Sequence, residues 1–159
     1  MQYNTRRDDM KTFWRAILIF ILAITAIAFI TIFTSNRPKS YDTSDKVIAE
    51  LKNRGFDVDV KDVEKDILDG ERKWLTIDQK ENISIFIYYN KKEMEEDADC
   101  ISIDGCSYDG FMKKVKVSWS SYPHFYKINN IIVLYVGENR HIIDTLEAIC
   151  GIQFAGYNP

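Results

Sequence analysis

The sequence predicts an α+β domain, an antiparallel sheet of about five strands with helices on one face, preceded by one N-terminal transmembrane helix. Three observations carry this expectation. Residues 16–33, opening at Ala16 and closing at Phe33, are 18 uncharged residues that are apolar except for Thr25 and Thr31. As a helix rising ~1.5 Å per residue they cover roughly 27 Å, close to the hydrocarbon thickness of a bilayer. After Asn36 the apolar spacing changes between the helical and the strand period, in the order helix, three strands, helix, two strands, helix. Consecutive strands joined by short turns pair antiparallel, and helices then cover the apolar side of the sheet.

The elements follow in order. Residues 1–15 form a basic tail, with Arg6, Arg7, Lys11 and Arg15 against Asp8 and Asp9. Basic residues count for more than acidic ones in setting orientation, so this tail is expected in the cytoplasm and the rest of the chain outside. The membrane segment is 16–34 and a polar linker occupies 35–43, with Pro38 disfavouring helix before it. A cleaved signal peptide is the competing reading, with Ala26 and Ala28 as its small residues. Phe29, Ile30, Ile32 and Phe33 continue the apolar run past them, which favours a retained anchor.

An extracytoplasmic domain spans 44–159. Its first helix covers about 44–54, capped by Thr43 or Ser44 and closed by Gly55, with Val47, Ile48 and Leu51 on one face. Phe56, Val58 and Val60 alternate as a strand. Asp69-Gly70 turns the chain into a second strand at Trp74, Leu75 and Ile77. Residues 79–82 turn it again into a β-branched and aromatic third strand, 83–89. Asn90 caps a second helix to about Ile101, with Glu93 in a capping box. Asp104-Gly105 and Asp109-Gly110 mark loops. Val115, Val117 and Trp119 alternate as a fourth strand, Asn129-Asn130 turns the chain, and 131–136 is a dense apolar fifth strand. A last helix, about 139–150, carries Ile142, Ile143, Leu146 and Ile149 and stops at Gly151.

Composition narrows the function classes. The tail holds four of the 21 basic and two of the 24 acidic residues, so the remainder stands at −5. An acidic domain with no basic stripe repels phosphate backbones, so no nucleic-acid partner is expected. Three cysteines are too few for a disulfide scaffold, and free thiols are preferred over a Cys100–Cys106 bridge.

Four phrases recur together in one group of proteins: GERKWLTI (70–77), YPHFYK (122–127), IIVLYVGE (131–138) and QFAG (153–156). In them the chain resembles small secreted or lipid-anchored proteins of Gram-positive bacteria, usually described as hypothetical lipoproteins. The chain departs from that group by lacking the lipid-attachment cysteine, with a longer apolar segment in its place. The resemblance implies location and fold, and it brings no catalytic residues with it.

The candidate site is the aromatic segment Tyr122, His124, Phe125 and Tyr126, expected at a sheet edge because Pro123 lacks a backbone donor. Rings that cannot all face inward offer a docking surface; the alternative is that they are core. His141 and Asp144, at i and i+3, are a weaker acid–base pair. Cys150 lies nine residues from His141, half a turn out of phase on one helix. The acidic run Glu93, Glu95, Glu96, Asp97 and Asp99 reads as a solvated helix face rather than a cation site. No phosphate loop, zinc spacing or nucleophile elbow occurs, and no metal or cofactor is expected. The expected role is binding to a protein or envelope component. The alternatives are an enzyme using His124, His141 or a cysteine, and an accessory subunit of a membrane complex.

Overall fold

In the computed structural model, which describes residues 41–157 with side chains from Thr43 onward, the first element is helix α1 (Tyr41–Asn53). The basic tail, the apolar run and the linker as far as residue 40 lie outside the described residues. Among the described residues no helix is long and apolar enough to cross a membrane. Helix α1 begins before the expected caps Thr43 and Ser44, which sit within its first turn. Its end is as expected. Gly55 takes φ 94°, its N–H reaches the Lys52 carbonyl and the Phe56 N–H reaches that of Leu51. This is the glycine-closed helix end that satisfies otherwise orphaned carbonyls.

Strands β1 (Val58–Val63), β2 (Glu71–Ile77) and β3 (Glu81–Ile87) form the expected antiparallel meander. Helix α2 (Lys91–Ala98) is capped by Asn90, whose side chain accepts from the Glu93 N–H and donates to the Glu93 carboxylate. A short hairpin follows, β4 (Ser107–Asp109) with β5 (Lys114–Lys116). Then come β6 (Pro123–Ile128), β7 (Ile131–Val136), α3 (Arg140–Cys150) and the two-residue β8 (Ala155–Gly156). The main sheet runs β1-β2-β3-β7-β6-β8 and every neighbouring pair is antiparallel. The class is therefore α+β. Three details differ from expectation: six strands make the main sheet rather than about five, β5 belongs to a separate hairpin, and the helices lie on both faces.

The third correction has a direct cause. β3 places Ile83, Ile85 and Ile87 on one face and Phe86 on the other, followed by Tyr88. β7 does the same with Ile131, Val133 and Tyr135 against Ile132 and Leu134. A central strand that is apolar on both sides needs cover on both sides. Helices α1 and α3 supply one layer through Val47, Leu51, Ile142 and Leu146. The other layer is smaller and comes from Met94 and Ala98 of α2, Tyr108 of the hairpin, and Leu68. Each fully buried side chain of this size contributes about 1.5–3 kcal/mol relative to exposure, so the second layer is a real core.

Candidate functional site

The aromatic segment enters the structure as β6, between β7 and the short β8. Pro123 is its first residue, opposite Val136, so the missing donor falls at the strand start. Strand alternation then divides the side chains. Phe125 points into the α2 core and Tyr126 into the α1–α3 core, and both are fully buried. His124 is buried as well. Its Nδ1 faces Gln153 Oε1 at 2.7 Å and its Nε2 faces the Gly137 carbonyl at 3.1 Å. Gln153 Nε2 donates to the Tyr157 carbonyl at 2.9 Å, which turns its oxygen toward the imidazole. The ring also stacks on Tyr135. His124 thus ties β6 to the end of β7 and to the C-terminal segment, and both of its nitrogens are occupied by protein.

Of the four, Tyr122 faces solvent: it is 42% exposed and stacks on Tyr157 at 3.8 Å between ring centroids. Around this pair the chain closes on itself. The Tyr157 N–H donates to the Pro123 carbonyl and the Gly156 N–H to that of Ile103. Gly156 has φ 110°, and a Cβ there would collide with the Pro123 carbonyl. Ile103, whose carbonyl takes the Gly156 bond, and Ile152, three residues before β8, are almost wholly exposed. The stacked rings beside β8 thus come from residues far apart in sequence.

A second polar centre was not expected. Asp97 of α2 is 7% exposed, so this member of the acidic run is not solvated. Its carboxylate accepts from the Tyr88 hydroxyl at 2.5 Å, the Tyr108 hydroxyl and the Asp69 N–H at 2.9 Å. Burial, reinforced by the carboxylate they bond to, raises both tyrosines well above the ordinary range of a phenol. The same burial raises Cys100, with Asp97 adding to it. Three donors on one buried carboxylate describe a structural clamp that holds the hairpin and the loop before β2 onto α2. The helical spacing carried a sign of it. Asp97 lies three residues after Met94 and one before Ala98, within the apolar stripe.

The remaining candidates do not converge. His141 lies against the Phe56 ring at 4.8 Å, while Asp144 faces Arg140 at 3.8 Å. The three cysteines are unpaired, and burial pushes Cys150 up to about 12, away from the thiolate that nucleophilic chemistry uses. Glu95 pairs across the fold with Lys127. A cleft of about 340 Å³ opens between α1 and α3, with Lys46, Glu50, Arg54 and Asn129 among its walls and none of the four aromatic-segment residues. Among the described residues no group of three or more metal-ligating side chains comes together.

Comparison with protein-family models, with curated proteins and with solved structures finds no match.

Proposed function

We propose that this chain is a membrane-anchored extracytoplasmic binding module that engages a protein or cell-envelope component through the aromatic surface beside β8. The observation that carries the reading is the stacked and half-exposed Tyr122–Tyr157 pair next to β8, aromatic side chains held outside both cores. Rigid aromatic rings at a surface lose little entropy on docking, which is why such residues dominate interfaces. The anchor is supported by the uncharged run 16–33 behind a basic tail, and the location by the resemblance to lipid-anchored proteins. The enzyme reading has less behind it. The ring nitrogens of His124 are taken by Gln153 and Gly137, and His141 and Asp144 have separate partners.

The test is photocrosslinking in living cells with a probe placed at Tyr122. A discrete adduct at this position, absent with the same probe at Asp59 on β1 and weakened by Tyr157→Ala, is the expected result. Absence of any adduct at Tyr122, with protein present at normal levels, would sink the surface as a docking site. Protease added to intact cells should digest the domain; protection until lysis reverses the orientation.

A further inference from the structure

The most exposed apolar side chains of the described residues include two neighbours at the tip of the β4–β5 hairpin. Phe111 is 102% and Met112 89% exposed. A loose loop would explain this, but the hairpin is held firmly. The Gly110 N–H donates to the Lys113 carbonyl at 2.9 Å, closing the turn beneath the two side chains. Gly110 has no room for a Cβ, which would lie 2.6 Å from the Tyr108 ring. Tyr108 is bonded to the buried Asp97, and Lys113 crosses over the Tyr108 ring to reach the Asp66 carbonyl at 3.2 Å. The fold thus fixes an apolar pair on a convex point, clear of both cores.

Charge surrounds that point. Residues 107–118 contain Lys113, Lys114 and Lys116 and one acid, Asp109, in a domain that is otherwise net negative. Lys113 is held by Asp66 and Asp69, whereas Lys114 and its partner Asp109 are both exposed, and a surface pair of this kind holds its lysine only weakly.

We propose that the β4–β5 hairpin tip docks on an anionic lipid surface, with Phe111 and Met112 below the headgroups and Lys114 and Lys116 among them. Shape and charge together select lipid. Two side chains on a convex tip fall far short of the ~800 Å² per partner that a standard protein interface buries. Apolar side chains immersed to the acyl boundary, with lysines reaching the phosphates, are what interfacial membrane binding requires. The inference gains from the anchoring reading, because a short tether would keep the tip at high effective concentration near lipid.

The experiment uses the full chain with Phe111→Trp, mixed or reconstituted with vesicles of phosphatidylcholine alone or with phosphatidylglycerol added. Acyl-chain-brominated lipid serves as the quencher. The emission added over the parent protein should shift to the blue and fall about two-fold with quencher in the anionic vesicles. It should lose that response with Lys114→Glu and Lys116→Glu combined. Ile103→Trp, exposed elsewhere, should stay unquenched. Added emission that remains red and unquenched in both vesicle types overturns the proposal and returns the tip to a protein partner or to solvent. Flotation after an alkaline carbonate wash reads the anchor separately. Flotation without tip quenching rejects the tip alone, and tip quenching without flotation rejects the anchor alone.

Discussion

Asp97 and Tyr126 show how differently a buried polar atom behaves with and without partners. The Asp97 carboxylate has three donors, and Asp97→Ala would leave two hydroxyls and one N–H stranded in a dry layer. At ~1–3 kcal/mol for each buried group left unsatisfied, a loss of about 3–5 kcal/mol is expected in denaturant unfolding. Replacing Tyr88 and Tyr108 by Phe in the same background should recover part of it, since fewer donors are then unpaired. Tyr126 is the opposite case. Its hydroxyl is buried with no hydrogen-bond partner among the described residues, and burial raises its pKa above the ordinary value. Tyr126→Phe removes an uncompensated polar atom while keeping the ring. It should leave stability unchanged or raise it by up to about 1 kcal/mol. A clear loss of stability would mean that the hydroxyl has a partner in solution, most simply a water.

At the scale of elements, the β2–β3 turn stores strain that the composition of the turn does not announce. Asp78 and Gln79 both take left-handed backbone angles, φ 50° and 58°, in a tight turn closed by the Lys80 N–H on the Ile77 carbonyl. Turns of this kind prefer glycine or asparagine. Asp78 has compensation: its carboxylate accepts from the Asp57 N–H at 2.8 Å and its own N–H donates to the Asp57 carbonyl. Gln79 has no such bond among those described. Gln79→Gly should therefore stabilise the domain by about 1 kcal/mol, whereas Asp78→Gly gains less because it breaks the tie to Asp57. Equal effects of the two changes in thermal or chemical unfolding would refute this account. Three other chain reversals were legible, because their residues state their geometry. Asn129-Asn130 turns β6 into β7 with Asn129 at φ 53°, and Gly55 and Gly151 end their helices at positive φ.

For the molecule as a whole, the titrating groups lean one way. Burial raises Tyr88, Tyr108, Tyr126 and Tyr135, the last to about 12, and it raises Cys100 and Cys150. A raised folded-state value favours the protonated, neutral form. The contribution is therefore complete below the ordinary value, 9.0 for the thiols and 10.0 for the phenols, and is lost as pH rises through the folded value. Asp104 is lowered by Ser102 and by the Cys106 N–H and works in acid, but it is fully exposed. Thermal stability should consequently fall as pH rises from about 9 toward 12, and Cys150→Ala should make the fall shallower, leaving Cys100 and the phenols to supply the rest. A melting temperature that stays flat to about pH 11 would contradict the burial of these groups.

Sequence alone determined what is local or periodic. The class α+β, the three-strand meander, the Asn90 cap and the α3 stripe all arise from neighbours within a few residues, where hydrogen-bonding geometry and side-chain period act directly. Tertiary structure decided which polar and aromatic groups are inside. Tyr122, His124, Phe125 and Tyr126 read as one patch along the chain, yet strand alternation and cover on both faces of the sheet leave just Tyr122 at the surface. Its stacking partner Tyr157 lies 35 positions away and is delivered by β8. Asp97 was masked by the acids around it, because its three donors come from three separate segments. Long-range contacts of this kind leave no periodic trace, since they depend on where the sheet brings distant segments together.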